Sequence, residues 1–140
     1  MSHLDHIRTV EEAFRKLGLD PKDAKSPIQG AWIFKCGSAT VRVMLNSTPT
    51  SDGEQKTLAM MAHIMPIPKR RKGDFFRRLL EMNSSFINER FEIFDNEIYV
   101  TAVRYLDGLD SNEVVDIMQE ISETADFVDD KLKKEFADAF

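Results

Sequence analysis

One cysteine, Cys36, is all that a chain of 140 residues carries. No internal disulfide can form, so packing alone must hold the fold, and the usage suits a reducing compartment. Glycine is scarce too. The six glycines never fall within five positions of one another, so no loop has the closely spaced glycines that cradle a phosphate. There is no Gly-x-Ser-x-Gly elbow and no His-Glu-x-x-His pair. Without nucleophile, base and anion cradle, no enzyme activity, cofactor or metal is expected. Basic residues are outnumbered, 19 against 24 acids for a net charge of -5, which argues against general nucleic-acid binding. No run approaches the ~18 apolar residues of a bilayer span. The first six residues, Met1-Ser2-His3-Leu4-Asp5-His6, lack the apolar region of a signal peptide. A cytoplasmic protein with no membrane partner is expected.

What is present is the material of one globular domain over residues 1–140. The apolar share is 42% and the charged share 31%, far from the composition of a disordered chain. In residues 4–17, Leu4, Ile7, Val10, Phe14 and Leu17 recur every three or four positions and predict a helix with one apolar stripe. Gly18 sits where a C′ residue should, Leu19 would be C″ against Phe14, and Pro21 prevents continuation. Residues 20–30 read as a loop. Two strands follow at 31–36 and 39–46, joined through Gly37-Ser38. Residues 47–56 are the most loop-like ten in the chain. A third strand at 57–65 is apolar on both faces, which suggests a central position.

Pro66 and Pro68 close that strand, and a helix is expected to start between 68 and 74 and reach 83. A second hairpin, 90–95 and 97–105, turns at Asp95-Asn96. Asp110, with Glu113 three residues on, opens a long helix over about 111–136, whose end is expected to project or to meet another subunit. The order helix, three strands, helix, two strands, helix predicts a two-layer α+β fold with an antiparallel sheet.

Several groups of residues invite a functional reading. The second helix has two neighbouring apolar stripes, one with Phe75, Leu79, Met82 and Phe86, the other with Phe76, Leu80 and Asn83. A helix lying on a sheet needs only one, so Phe75, Phe76, Leu79, Leu80 and Asn83 are candidates for a homodimer interface. Trp32 and Phe34 could line a partner-binding groove beside the first helix, or could be core. Met60 and Met61 could add an adaptable surface, or fill an irregular core. Residues 69–78 hold six basic side chains and one acid, Asp74. Lys69, Arg70, Arg71 and Lys72 could bind an anion or nucleic acid, or be neutralised by the acidic final helix. Cys36 and His63 could meet as nucleophile and base. The plainer reading is a small buried cysteine and a strand histidine. His3 and His6 could face a metal, though a chain end seldom holds one.

Three local patterns carry a family resemblance. Leu79-Leu80-Glu81-Met82-Asn83 looks like the Leu-Leu-x-x-Asn pattern of type III secretion chaperone-like proteins. The run from Phe91 to Val100 looks like their β-hairpin. Leu106-Asp107-Gly108-Leu109-Asp110, leading into a long helix, resembles YbjN-like proteins most of all. The element order extends the resemblance over about residues 4–136. It implies a bacterial, cytoplasmic, acidic homodimer joined through the second helix. It also implies a non-catalytic module that holds an extended segment of a protein client on an apolar surface. The basic cluster at 69–72 and the Met-rich third strand depart from the family pattern. An anion-binding regulator built on residues 69–78 is the alternative.

Overall fold

A computed structural model describes residues 2–140. Its first helix, α1 (His3–Lys16), begins with a reciprocal cap. The Ser2 hydroxyl accepts from the Asp5 N–H at 3.3 Å, and the Asp5 carboxylate accepts from the Ser2 N–H at 3.0 Å. It ends as the sequence predicts. Gly18 has φ of 77°, and the N–H groups of Leu19 and Gly18 donate to the carbonyls of Phe14 and Arg15, both at 2.9 Å. The expected loop at 20–30 contains a one-turn helix, α2 (Pro21–Ala24), with Asp20 as N-cap and Pro21 at a position where its missing N–H costs nothing.

Five strands follow in one antiparallel sheet. They are β1 (Ala31–Cys36), β2 (Ala39–Thr50), β3 (Gly53–Pro66), β4 (Glu89–Phe94) and β5 (Glu97–Tyr105), in spatial order β1-β2-β3-β5-β4. The third strand is therefore central, as its two apolar faces suggest. The reading of 47–56 as a loop is corrected. Asn46 pairs with Thr57, Ser47 with Lys56 and Thr48 with Gln55, closing through Ser51 and Asp52, so the hairpin runs on past its neighbours as a two-stranded arm. Both faces of that arm are in water. It has no apolar alternation to betray it, and the backbone ladder alone makes it a strand. The β4–β5 turn has Asp95 and Asn96 both at positive φ, 52° and 65°, which is the tight hairpin that those residue types favour.

Two further helices complete the chain, α3 (Lys72–Asn83) and α4 (Ser111–Glu135), with a short 3-10 turn at Ala137–Ala139. Helices α1, α3 and α4 cover one face of the sheet, where Val41, Val43, Met60, Ala62, Ile98 and Val100 form the core. A bulge between His63 and Met65 sends Ile64 and Met65 into that core in succession. The opposite face carries Arg42, Met61, His63, Tyr99, Val103 and Tyr105 and has no helix over it. The fold is two-layer α+β. The long final helix does not project. Glu135 in its last turn pairs with Arg78 of α3 at 3.0 Å, and Phe136 just beyond it is buried against Phe75.

Candidate functional site

Helix α3 divides its two stripes between different tasks. Phe75, Leu79 and Met82 are buried within the protomer. Of the residues expected at an interface, Phe75 and Leu79 are thus core side chains and leave no surface for a partner. The neighbouring stripe stays outside. Leu80 is 71% exposed and Phe76 half-buried. Asn83 is committed locally, because its side-chain oxygen accepts from the Phe91 N–H at 3.0 Å. That bond ties the end of α3 to β4. Phe86, expected to continue the Phe75, Leu79 and Met82 stripe, lies past the helix end and packs on Phe91 at 5.4 Å between ring centroids. The turn and the edge strand add apolar groups that helical periodicity could not flag. Ile87 is 94% exposed, and Ile93 on β4 is also exposed. An isoleucine in the polar turn Asn83-Ser84-Ser85-Phe86-Ile87-Asn88 was the available signal.

A second surface lies at the other edge of the sheet. Strand β1 ends the sheet, and among the described residues its outer side is bridged at Trp32 by Lys25 and accepts the Ser26 N–H at the Ala31 carbonyl at 3.0 Å. Beside it, Leu19, Asp20 and Ala24 from the α2 region face Ile33, Phe34 and Lys35 across a shallow groove. The four residues read as partner-binding are dispersed. Phe34 borders this groove but is itself a core side chain, buried edge-on against Phe14 with ring centroids 5.4 Å apart. Trp32 is in the core, 2% exposed, with its ring 6.2 Å from that of Phe14. Met60 is fully buried and Met61 is half-buried on the uncovered face, near Arg42, His63 and Tyr99. Adjacent strand residues point to opposite faces, so Met60 and Met61 cannot make one surface.

The basic segment is largely engaged within the chain. Arg71 pairs with Asp138 and Asp74, and Arg78 with Glu135. Arg70 bonds the chain at Ala139 and Phe140. Among the described residues Lys69 and Lys72 form no ion pair.

The remaining constellations do not assemble. Cys36 and His63 lie on opposite faces of the sheet with β2 between their strands. The His63 imidazole instead faces Glu97 at 3.3 Å. His3 lies against Gly30, while His6 turns into the protein and is buried. Burial holds the His6 imidazole below its ordinary range, and the nearby Lys56 charge acts in the same direction. Burial likewise pushes the Glu89 carboxyl up, with the Thr124 hydroxyl opposing and Glu120 adding to the shift. Among the described residues no group of three His, Cys, Asp or Glu is placed to hold a metal. No helix of the described residues is long and apolar enough to cross a membrane.

No family model and no curated protein matches the chain. Solved structures do. A chain of the ExsC–ExsE complex is similar over 94% of this chain and 97% of its own, with a TM-score of 0.70 at 16% identity. A chain of the complex between the Yersinia pestis type III secretion chaperone SycH and a stable fragment of YscM2 covers 86% and 96%, with a TM-score of 0.56 at 12% identity. A chain of the HopA1–SchA chaperone–effector complex covers 88% and 99%, with a TM-score of 0.53 at 8% identity. The fold is that of type III secretion chaperones.

Proposed function

We propose that this protein is a non-catalytic, chaperone-like protein-binding module that works as a homodimer and holds a segment of a client protein. The observation that carries this reading is the coincidence of that fold, over nearly the whole chain, with two separate uncovered apolar surfaces. The exposed stripe on α3, with Leu80 and Phe76, suits a second copy of the same chain. A helix stripe that meets its own mate across a two-fold axis needs no other partner. The β1 edge suits an extended client. Its backbone groups beyond the Lys25 bridge can pair with an added strand, and the exposed Ile33 can meet an alternate side chain of that strand. The turn at Leu106 to Asp110 suggests kinship with YbjN-like proteins within this fold.

Affinity purification from the native cell at low and molar salt tests the function. A protein partner should stay bound at molar salt, because apolar contact is not screened, and should be lost in an Ile33→Asp variant. A bound polyanion released by salt, with no protein partner, would contradict the proposal and favour anion binding by residues 69–78.

A further inference from the structure

The start of α3 is held only weakly by its own sequence, through the exposed Arg71–Asp74 pair. Arg71 stands at the N-cap with φ of 56°, a left-handed conformation uncommon for residues other than glycine. No side chain caps the first N–H groups. Gly73 weakens the first turn, and the cations there face the positive end of the helix dipole. A distant stretch of chain anchors this end through its arginines instead. The Arg71 guanidinium donates to Asp138 at 2.7 Å and to the Glu135 carbonyl at 3.4 Å, and lies 4.9 Å over the Phe136 ring. Two turns further along, Arg78 grips both oxygens of Glu135 at 3.0 and 3.3 Å. The Arg70 backbone N–H donates to the Ala139 carbonyl at 2.9 Å. Beneath these bonds the buried Phe136 ring stands edge-on to Phe75, with centroids 5.1 Å apart.

We propose that residues 136–140, with Glu135, form a charge-held latch that sets the position of α3 and thereby controls the apolar strip on its outer face. Phe75 and Arg78 carry the latch contacts, and Phe76 and Leu80 lie beside them on the same three turns. With the latch closed, the strip is presented as one rigid surface. With it released, Phe75 loses Phe136, α3 keeps its remaining core contacts through Leu79 and Met82 and its tie to β4, and the strip loses its shape. The ion pairs are open to solvent, with side-chain exposures of 41% for Arg71 and 70% for Asp138. They therefore weaken as salt rises. The link to self-association rests on the proposed pairing of that strip with a second copy, whereas the latch itself does not.

Hydrogen exchange on the full chain tests both parts. In a Glu135→Gln, Asp138→Asn double variant, amides of residues 72–83 should exchange roughly tenfold faster or more, while those inside β3 and β5 stay unchanged. The wild type in molar salt should move the same way. Unchanged exchange in α3, or an equal acceleration in β3 and β5, would overturn the latch. Light scattering of the same samples separates the second part. If the wild type is associated and the variant with a loosened α3 is equally so, the coupling is wrong. If the wild type is a monomer, the self-association reading fails, and the exchange result still decides the latch.

Discussion

At the scale of single residues, His6 carries the clearest pH signature. Its Nδ1 is buried with no hydrogen-bond partner among the described residues, and its pKa is lowered, first by burial and then by charges that include Lys56. The unfolded chain takes up the proton at about pH 6.5, before the folded one does. The stabilising effect of neutral His6 is therefore complete above that pH and is lost as pH falls through the lower folded value. Melting temperatures measured between pH 7 and pH 5 should fall in the wild type. They should fall less steeply in His6→Leu. Equal slopes would show that His6 is not the group responsible. Glu89 has the opposite sign. Its raised pKa means that the ionised form is penalised once pH exceeds the folded value. Glu89→Gln should thus raise the melting temperature at pH 7 and change little in acid, as a paired melt at the two pH values will show.

At the scale of elements, two glycines with different backbones make a paired prediction. Gly37 turns the β1–β2 hairpin at φ of 61°, and a Cβ there would come within 2.6 Å of the Asp126 carboxylate. That carboxylate also accepts from the Ser38 hydroxyl at 2.6 Å. Gly37→Ala should cost about 1–2 kcal/mol and lower the melting temperature by about 3–8 °C. Gly73 in α3 has no positive φ, and nothing lies within 4 Å of the place an added methyl would take, so Gly73→Ala should stabilise the helix by about 0.5–1 kcal/mol. Thermal melts of the two variants should move in opposite directions. The elements that sequence reading found share a reason. The α1 stripe, the Gly18 stop, the Asp95-Asn96 turn and the Asp110 cap are all signals written within a few residues. Apart from the one-turn α2, what it missed depends on distant chain. The polar arm at 47–56 exists because each strand has the other to bond. The burial of Met60 but not Met61 depends on which face the helices cover. The end of α4 is held down by arginines far earlier in the chain, as the Arg78–Glu135 pair shows with a separation of 57. The candidate site was half legible. The Phe76 and Leu80 stripe follows from helical periodicity, whereas the exposure of Ile87 and Ile93 depends on the turn and the edge strand.

At the scale of the whole molecule, the helices cover one face of the sheet and leave apolar groups at its two edges. An acidic chain with a net charge of -5 repels its copies at long range, so association must come from close apolar contact. Burying Leu80 in both copies is worth about 1.5–3 kcal/mol per copy. Replacing it with a charged aspartate would remove that gain and bury a charge against its mate. Light scattering of the purified protein at tens of micromolar, beside a Leu80→Asp variant, is the direct measurement. The wild type should give twice the chain mass of 16.1 kDa, and the variant should give the single-chain mass with its fold intact by circular dichroism. A wild type that stays at the single-chain mass, or a variant that remains paired, would contradict a homodimer built on the α3 strip.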